Sequence, residues 1–231
     1  MSWALEIAAT GDAKFAAGLC AWLHRDALRV LLSLRGVIHV DIYSPAAGGA
    51  HDPFVAAAVG PLVVAIACFR TENDLRTAIS SEALDDCLMR MPVGPILTAT
   101  PMSGRVYAVD EPRAEARHPA YRYVVRYHGP SEEVAGFADR YERTHPPLLA
   151  KLPRIRAIEC YRPIVALRTP RCEPADYLIG NEVEFDCAED FNMAMASPAR
   201  AALRADFDAL PRVFCNNTHF AMQRERHHAS S

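Results

Sequence analysis

A chain of 231 residues with 51% hydrophobic residues can bury the core of one large or two ordinary domains, which excludes a disordered chain. Its 25 basic and 28 acidic residues are interspersed and sum to a net charge of −3, leaving no basic stripe for a nucleic-acid backbone. The longest apolar stretches, such as Val55 to Phe69, are interrupted by Gly60 and Pro61, and Met1 to Thr10 lacks a basic start, so no membrane span or leader is expected and a cytoplasmic location is.

In chain order, alternation at Trp3, Leu5 and Ile7 predicts a strand, and an apolar stripe of helical period follows it. A strand over Val37 to Ser44, ended by Pro45, precedes a second over Leu62 to Phe69, a helix over Glu72 to Met91 and a strand over about Gly104 to Val109. The polar segment Asp110 to Pro119 reads as a linker. The same order then returns. Tyr121, Tyr123 and Val125 alternate as a strand, and Val134, Phe137, Tyr141, Leu148 and Leu152 form a helical stripe with Ser131 placed as its cap. Strands over Ile155 to Arg162 and Leu178 to Phe185, a helix over Glu189 to Leu210 and a strand over Thr218 to Arg224 complete it.

The recurrence extends to residue identity. Trp3 to Pro45 lies on Tyr121 to Pro163 without a gap, matching Gly11 with Gly129, Arg25 with Arg143, Leu34 with Leu152 and Tyr43 with Tyr161. A second block, Leu62 to Ala83, lies on Leu178 to Ala199 and matches Phe69 with Phe185 and Asp74 with Asp190. Residues 1–112 and 113–231 are therefore read as two copies of one β-α-β-β-α-β, or ferredoxin-like, unit. Such a unit covers one sheet face with helices and leaves the other in need of a partner. Two units in one chain supply it, which predicts an α+β fold in which the sheets face each other as a pseudo-dimeric barrel with a ligand in a small central cavity.

The segment Phe137 to Pro163 carries an aromatic-rich helix, then His145, Pro147 and Leu148, then the turn Lys151-Leu152-Pro153 into a strand. It resembles the EthD family of dimeric α/β-barrel proteins, although Arg154 stands where the family has glycine. The resemblance implies small-molecule chemistry without a cofactor, of the dehydratase or decarboxylase kind, and a possible homodimer. Other dimeric α/β barrels bind haem through a helix histidine, so a haem protein is a further alternative.

His145 lies on the apolar stripe, four residues after Tyr141, while the first copy has Ala27 there. A repeat that packs alanine at this place needs no histidine for packing, so His145, with Tyr141 and His128, is the candidate acid/base group. Strand alternation places Arg122, Arg126 and His128 inside the barrel with Glu6 and Thr10, as well as His39, Asp41 and Tyr43, the counterparts Ala157, Glu159 and Tyr161, and Glu182, Glu184, His219 and Gln223. Tyr161, His219, Arg122, Arg126, Glu159 and His39 are thus candidate substrate-binding residues. The alternative for the charges is a salt-bridged interface, with Arg122 and Arg126 against Glu182 and Glu184. No metal centre is expected: the seven cysteines include no CxxC pair and read as small buried hydrophobes, and His227 and His228 read as a disordered tail. The leading function is a cofactor-independent lyase, dehydratase or isomerase acting on an oxygenated, moderately apolar small molecule such as an aromatic or polyketide-like intermediate. The alternative is a non-catalytic binding protein.

Overall fold

The computed structural model describes residues 1–54, 60–112, 119–129, 134–210 and 216–229; of 134 and 135 it describes the backbone alone. The first copy comprises β1 (Ser2–Thr10), α1 (Ala16–Trp22), a π-helical turn (Leu23–Ala27), α2 (Leu28–Ser33), β2 (Val37–Pro45), β3 (Val63–Phe69), α3 (Glu72–Ile79), α4 (Glu82–Met89) and β4 (Ile96–Tyr107). The second comprises β5 (Ala120–His128), α5 (Val134–Leu149), β6 (Ala157–Pro163), β7 (Tyr177–Phe185), α6 (Ala188–Met195), α7 (Ala199–Ala209) and β8 (Asn216–His228). The eight strands close a barrel in the order β1-β3-β2-β8-β5-β7-β6-β4, each neighbouring pair running antiparallel.

Each copy contributes four adjacent strands in the ferredoxin-like order, β4-β1-β3-β2 and β8-β5-β7-β6. The copies join where an edge strand of one meets an edge strand of the other, β2 on β8 and β4 on β6. Among the described residues, closure leaves no unpaired sheet edge. The fold class is therefore the expected α+β pseudo-dimeric barrel. Among the described residues, no helix is long and apolar enough to cross a membrane.

Each expected long second helix is two. Ser81 accepts a bond from the Leu84 amide and starts α4, so the chain turns after α3. In the second copy Pro198 performs the break, because it lacks an amide hydrogen to continue α6. The Ser131 cap and the side chain of Val134 lie outside the described residues, as do Cys215 and most of the linker. Cys68, Cys87 and Cys160 are buried as expected, but Cys187 is exposed at the start of α6.

The turn after the first helix shows how the copies diverge. Gly36 and its counterpart Arg154 both adopt positive φ, 77° and 62°. A Cβ at Gly36 would sit 2.3 Å from Asp74 Cγ, so glycine is required there. In the second copy Arg154 instead donates to Asp190, the counterpart of Asp74, at 2.6 Å. The ion pair offsets the strained backbone.

Two apolar clusters lie outside the barrel, one under the helices of each copy. Leu19, Leu23, Leu31 and Leu75 belong to the first; Phe137, Tyr141, Phe185 and Phe191 belong to the second. The barrel interior is a third layer, combining Val64, Ile66, Met102 and Phe220 with buried charges. Arg122 lies 2.7 Å from Glu184 and 3.3 Å from Glu159. Arg126 lies 2.6 Å from Glu6 and 3.5 Å from Glu182, and Arg224 bridges Glu184 at 3.0 Å and Asp41 at 3.6 Å.

These charges set one another's titration. Burial alone would raise the carboxyl of Glu159, but Arg122 and a bond from the Tyr161 hydroxyl hold it below its usual range. Burial is likewise overcome at Asp41 by Arg226 and Arg224. At Glu182 burial wins over Arg126 and Arg122, and the carboxyl is pushed up. Of the two expected readings of these charges, the salt-bridged interface is the one seen: the charges of the two sheets meet one another across the interior, because a buried guanidinium is retained only where carboxylates compensate its lost hydration.

Candidate functional site

A cavity of about 370 Å³ lies on the other side of the second sheet, between its outer face and α5, α6 and α7. Tyr123, Val125 and Tyr127 of β5 and Asn181 and Val183 of β7 form its floor. Leu149, Phe191, Met195, Leu203 and Phe207 give it apolar walls. Asp52 and Phe54, from the loop after β2, reach across from the first copy and complete the rim. The volume suits a small molecule of a few fused or linked rings, and the lining is mainly aromatic with a few converging polar groups.

His145 is one of those groups. Its Nδ1 lies 2.8 Å from Asp206 Oδ2 on α7, and its ring stacks on Tyr141 with centroids 4.8 Å apart. The bond from His145 holds the Asp206 carboxyl below its usual range, so the carboxylate is ionised and Nδ1 carries the proton. Nε2 is then the ring atom left to a ligand. Tyr141 stands behind the imidazole, not in the cavity; it is fully buried and its hydroxyl accepts from Asn181 Nδ2. Pro146 and Pro147 follow His145 inside α5 and remove two helical amide donors, while the first copy has its π-helical turn one step earlier, at Leu23–Ala27.

His219 is the second group. It is 7% exposed, lines the cavity, and neither ring nitrogen has a hydrogen-bond partner among the described residues. Burial pushes its pKa down to about 4, so it is neutral at physiological pH and offers one donor and one acceptor to whatever enters. A buried polar ring without a partner is costly in an empty site and useful in an occupied one. Beside it, Arg200 grips Asp52 through two nitrogens at 2.8 to 3.2 Å, tying α7 to the loop of the first copy. Arg200 and Arg204 also lie over the Phe54 ring at 4.9 and 5.5 Å.

The lowered pKa has a measurable consequence. A histidine at about 6.5 unfolded and about 4 folded contributes stability that is complete above pH 6.5 and is lost as pH falls through 4. His219→Phe should therefore flatten the fall in thermal unfolding temperature between pH 6.5 and 4. An unchanged slope would show that His219 is hydrated in the folded protein.

Of the candidate catalytic and substrate-binding residues, His145 and His219 line the cavity. Placing His219 and Gln223 inside the barrel is corrected by one position in register: His219 lines the outer cavity and Ala221 packs in the outer cluster, while Phe220 and Met222 fill the interior. Arg122, Arg126, Glu159 and Tyr161 belong to the interior layer instead. His39 lies 3.8 Å from Asp41, and burial pushes its pKa down to about 4. His128 bonds Asp176 at 3.1 Å and Thr218 at 3.0 Å, away from the cavity.

Asp206, Asp52, Arg200 and Asn181 were not singled out. The repeat held a signal for three of them, since their counterparts are Arg90 for Asp206, Leu84 for Arg200 and Ala65 for Asn181. With Ala27 for His145 and Leu23 for Tyr141, five polar positions at or behind the cavity are otherwise in the first copy. Its corresponding space is filled by the aliphatic cluster around Leu23, Ala27 and Ala65.

A scan against protein-family models finds no match, and neither does a search of curated proteins. Among solved structures, an anthrone oxidase-like protein superposes with a TM-score of 0.68 at 13% identity, over 100% of this chain and 94% of that one. A putative monooxygenase from Lactobacillus acidophilus NCFM gives 0.57 at 8% identity, over 100% and 98%. An EthD family protein from Bacillus halodurans C-125 matches 44% of this chain and 95% of its own, at 24% identity and a TM-score of 0.35. At such identities the two full-length matches establish the architecture: this chain has the tandem ferredoxin-like α+β barrel fold.

Proposed function

We propose that the protein is an enzyme that moves a proton on or off an oxygenated aromatic or polyketide-like small molecule held in the outer cavity of the second copy. The observation that carries this reading is the His145–Asp206 pair set in the wall of an aromatic-lined cavity. Asp206 fixes the tautomer in which Nε2 of the neutral ring is the acceptor, and the carboxylate offsets the positive charge that the imidazole acquires on taking a proton. Neutral His219 and Asn181 supply hydrogen bonds for a carbonyl or phenol oxygen, where negative charge develops once the proton has left. The apolar walls exclude water from the resulting enolate or phenolate.

Proton abstraction of this kind is the common first step of isomerisation, dehydration and elimination. It also precedes the reaction of an electron-rich carbanion with dioxygen. The anthrone oxidase-like and putative monooxygenase structures of the same fold support including that last outcome. Proton exchange tests the shared step directly. Hydroxylated aromatic ketones with an acidic C–H should exchange it with deuterated solvent faster in the presence of the protein, followed by NMR, and dioxygen uptake measured in parallel separates oxidation from isomerisation. Asp206→Asn should slow the exchange by roughly tenfold to a thousandfold, because the amide can present its NH2 to Nδ1 and favour the wrong tautomer. Exchange at the wild-type rate in this variant would refute the pairing as catalytic machinery.

A further inference from the structure

His227 and His228 pair within β8 against Val40 and His39 of β2, which corrects their reading as disordered. Glu225 and His227 are two residues apart and so share one face of the strand. They lie opposite Ile42 and Val40, both of which belong to the apolar cluster under the helices of the first copy. That face therefore looks toward the first copy's helices, and the π-helical turn brings His24 to meet it.

We propose that His24, Glu225 and His227 form a binding site for a divalent transition-metal ion at the seam between the two copies. One donor atom from each lies within 4.8 Å of the others. His227 Nε2 is 3.8 Å from Glu225 Oε2, and the rings of His24 and His227 stand edge to face with centroids 6.1 Å apart. His227 Nε2 is buried and has no hydrogen-bond partner among the described residues, so the arrangement presents a lone pair or a proton to a carboxylate slightly too distant to bond it. A cation between them answers both groups.

The donor set selects the ion. Two imidazoles and one carboxylate suit zinc, cobalt, nickel or copper; calcium and magnesium prefer all-oxygen shells. Ligand bonds of about 2.0 to 2.1 Å in a tetrahedral site place donor atoms about 3.3 Å apart, so the cluster needs to contract by roughly an ångström. His24 and Glu225 are exposed and free to make that adjustment. Three protein ligands leave a fourth position open, and an open groove lined by His24, Leu28, Arg29 and Arg70 adjoins it. An ion here would tie the first helix of one copy to the final strand of the other, across the β2–β8 junction that closes the barrel. The first copy's helix and β8 stand on opposite sides of this junction, so the site needs both copies.

The test is a titration of Co²⁺ and then Zn²⁺ into the metal-stripped full chain. The expected result is one Co²⁺ per chain with the visible absorption of a four-coordinate site, its displacement by Zn²⁺, and an unfolding temperature that rises with metal concentration. His24→Ala and His227→Ala should each weaken binding by about tenfold or more, whereas His39→Ala should not, which separates this cluster from the neighbouring His39–His228 pair. His24 is exposed, so its variant remains informative even if His227→Ala fails to fold. Binding that persists unchanged in His24→Ala, or the absence of a saturable Co²⁺ spectrum in the wild-type chain, would overturn the proposal.

Discussion

His145→Ala is expected to lower turnover on the true substrate by about two to four orders of magnitude, the usual weight of a general acid/base group. Folding should change far less, because the first copy carries Ala27 at the same place in the same unit and packs it with 1% exposure. His145→Gln provides the contrast. It keeps an amide that can bond Asp206 but cannot take up a proton, so it should be nearly as inactive as alanine while melting close to the wild type. Steady-state rates and thermal unfolding on the two variants decide the matter. Should glutamine retain near-normal activity and alanine unfold, the residue is a hydrogen-bonded core histidine, and the acid/base role fails.

Arg122→Met should cost about 3 to 5 kcal/mol of folding stability, the penalty of leaving buried carboxylates without their counter-charge. Arg122 is 1% exposed and stands among Glu159, Glu182 and Glu184 at 2.7 to 3.9 Å. Methionine fills much of its volume, so the loss would be electrostatic more than steric. The double variant Arg122→Met, Glu184→Gln should recover part of the loss, since one of the stranded charges is gone. Urea unfolding of the single and double variants measures both quantities. A single-variant loss below about 1 kcal/mol would mean that the interior is hydrated enough to screen its charges. Acid should act in the same direction on the wild type. The depressed carboxyls of Asp41 and Glu159 contribute stability that is present above the ordinary carboxylate range and is lost as pH falls through their folded values.

Much of the fold was legible because it rests on local and repeated signals. Period-two alternation at Trp3, Leu5 and Ile7, and again at Tyr121, Tyr123 and Val125, marks strands whatever surrounds them. The doubled order of elements then restricts how the sheets can be covered. The contrast between Ala27 and His145 was equally legible, since it compares two residues under one set of packing demands. It pointed to the copy that holds the cavity.

What the sequence by itself determined, then, was the unit, its duplication and the asymmetry of its first helix. The tertiary structure decided the rest, because those features depend on residues distant in sequence. In β8 both faces carry polar residues, so alternation alone could not choose the register; the pairing of Val125 with His219 turns that ring outward to the cavity. Asp206 reaches His145 only because α7 folds back on α5, over 61 positions of sequence. The barrel interior follows the same rule: Arg126 meets Glu6 across 120 positions, and four guanidiniums pair with carboxylates on the faces where alternation placed candidate ligand contacts. Sequence periodicity specifies which face a side chain occupies within one element. Which charge compensates which, and where a void remains, is fixed only when the elements close on one another.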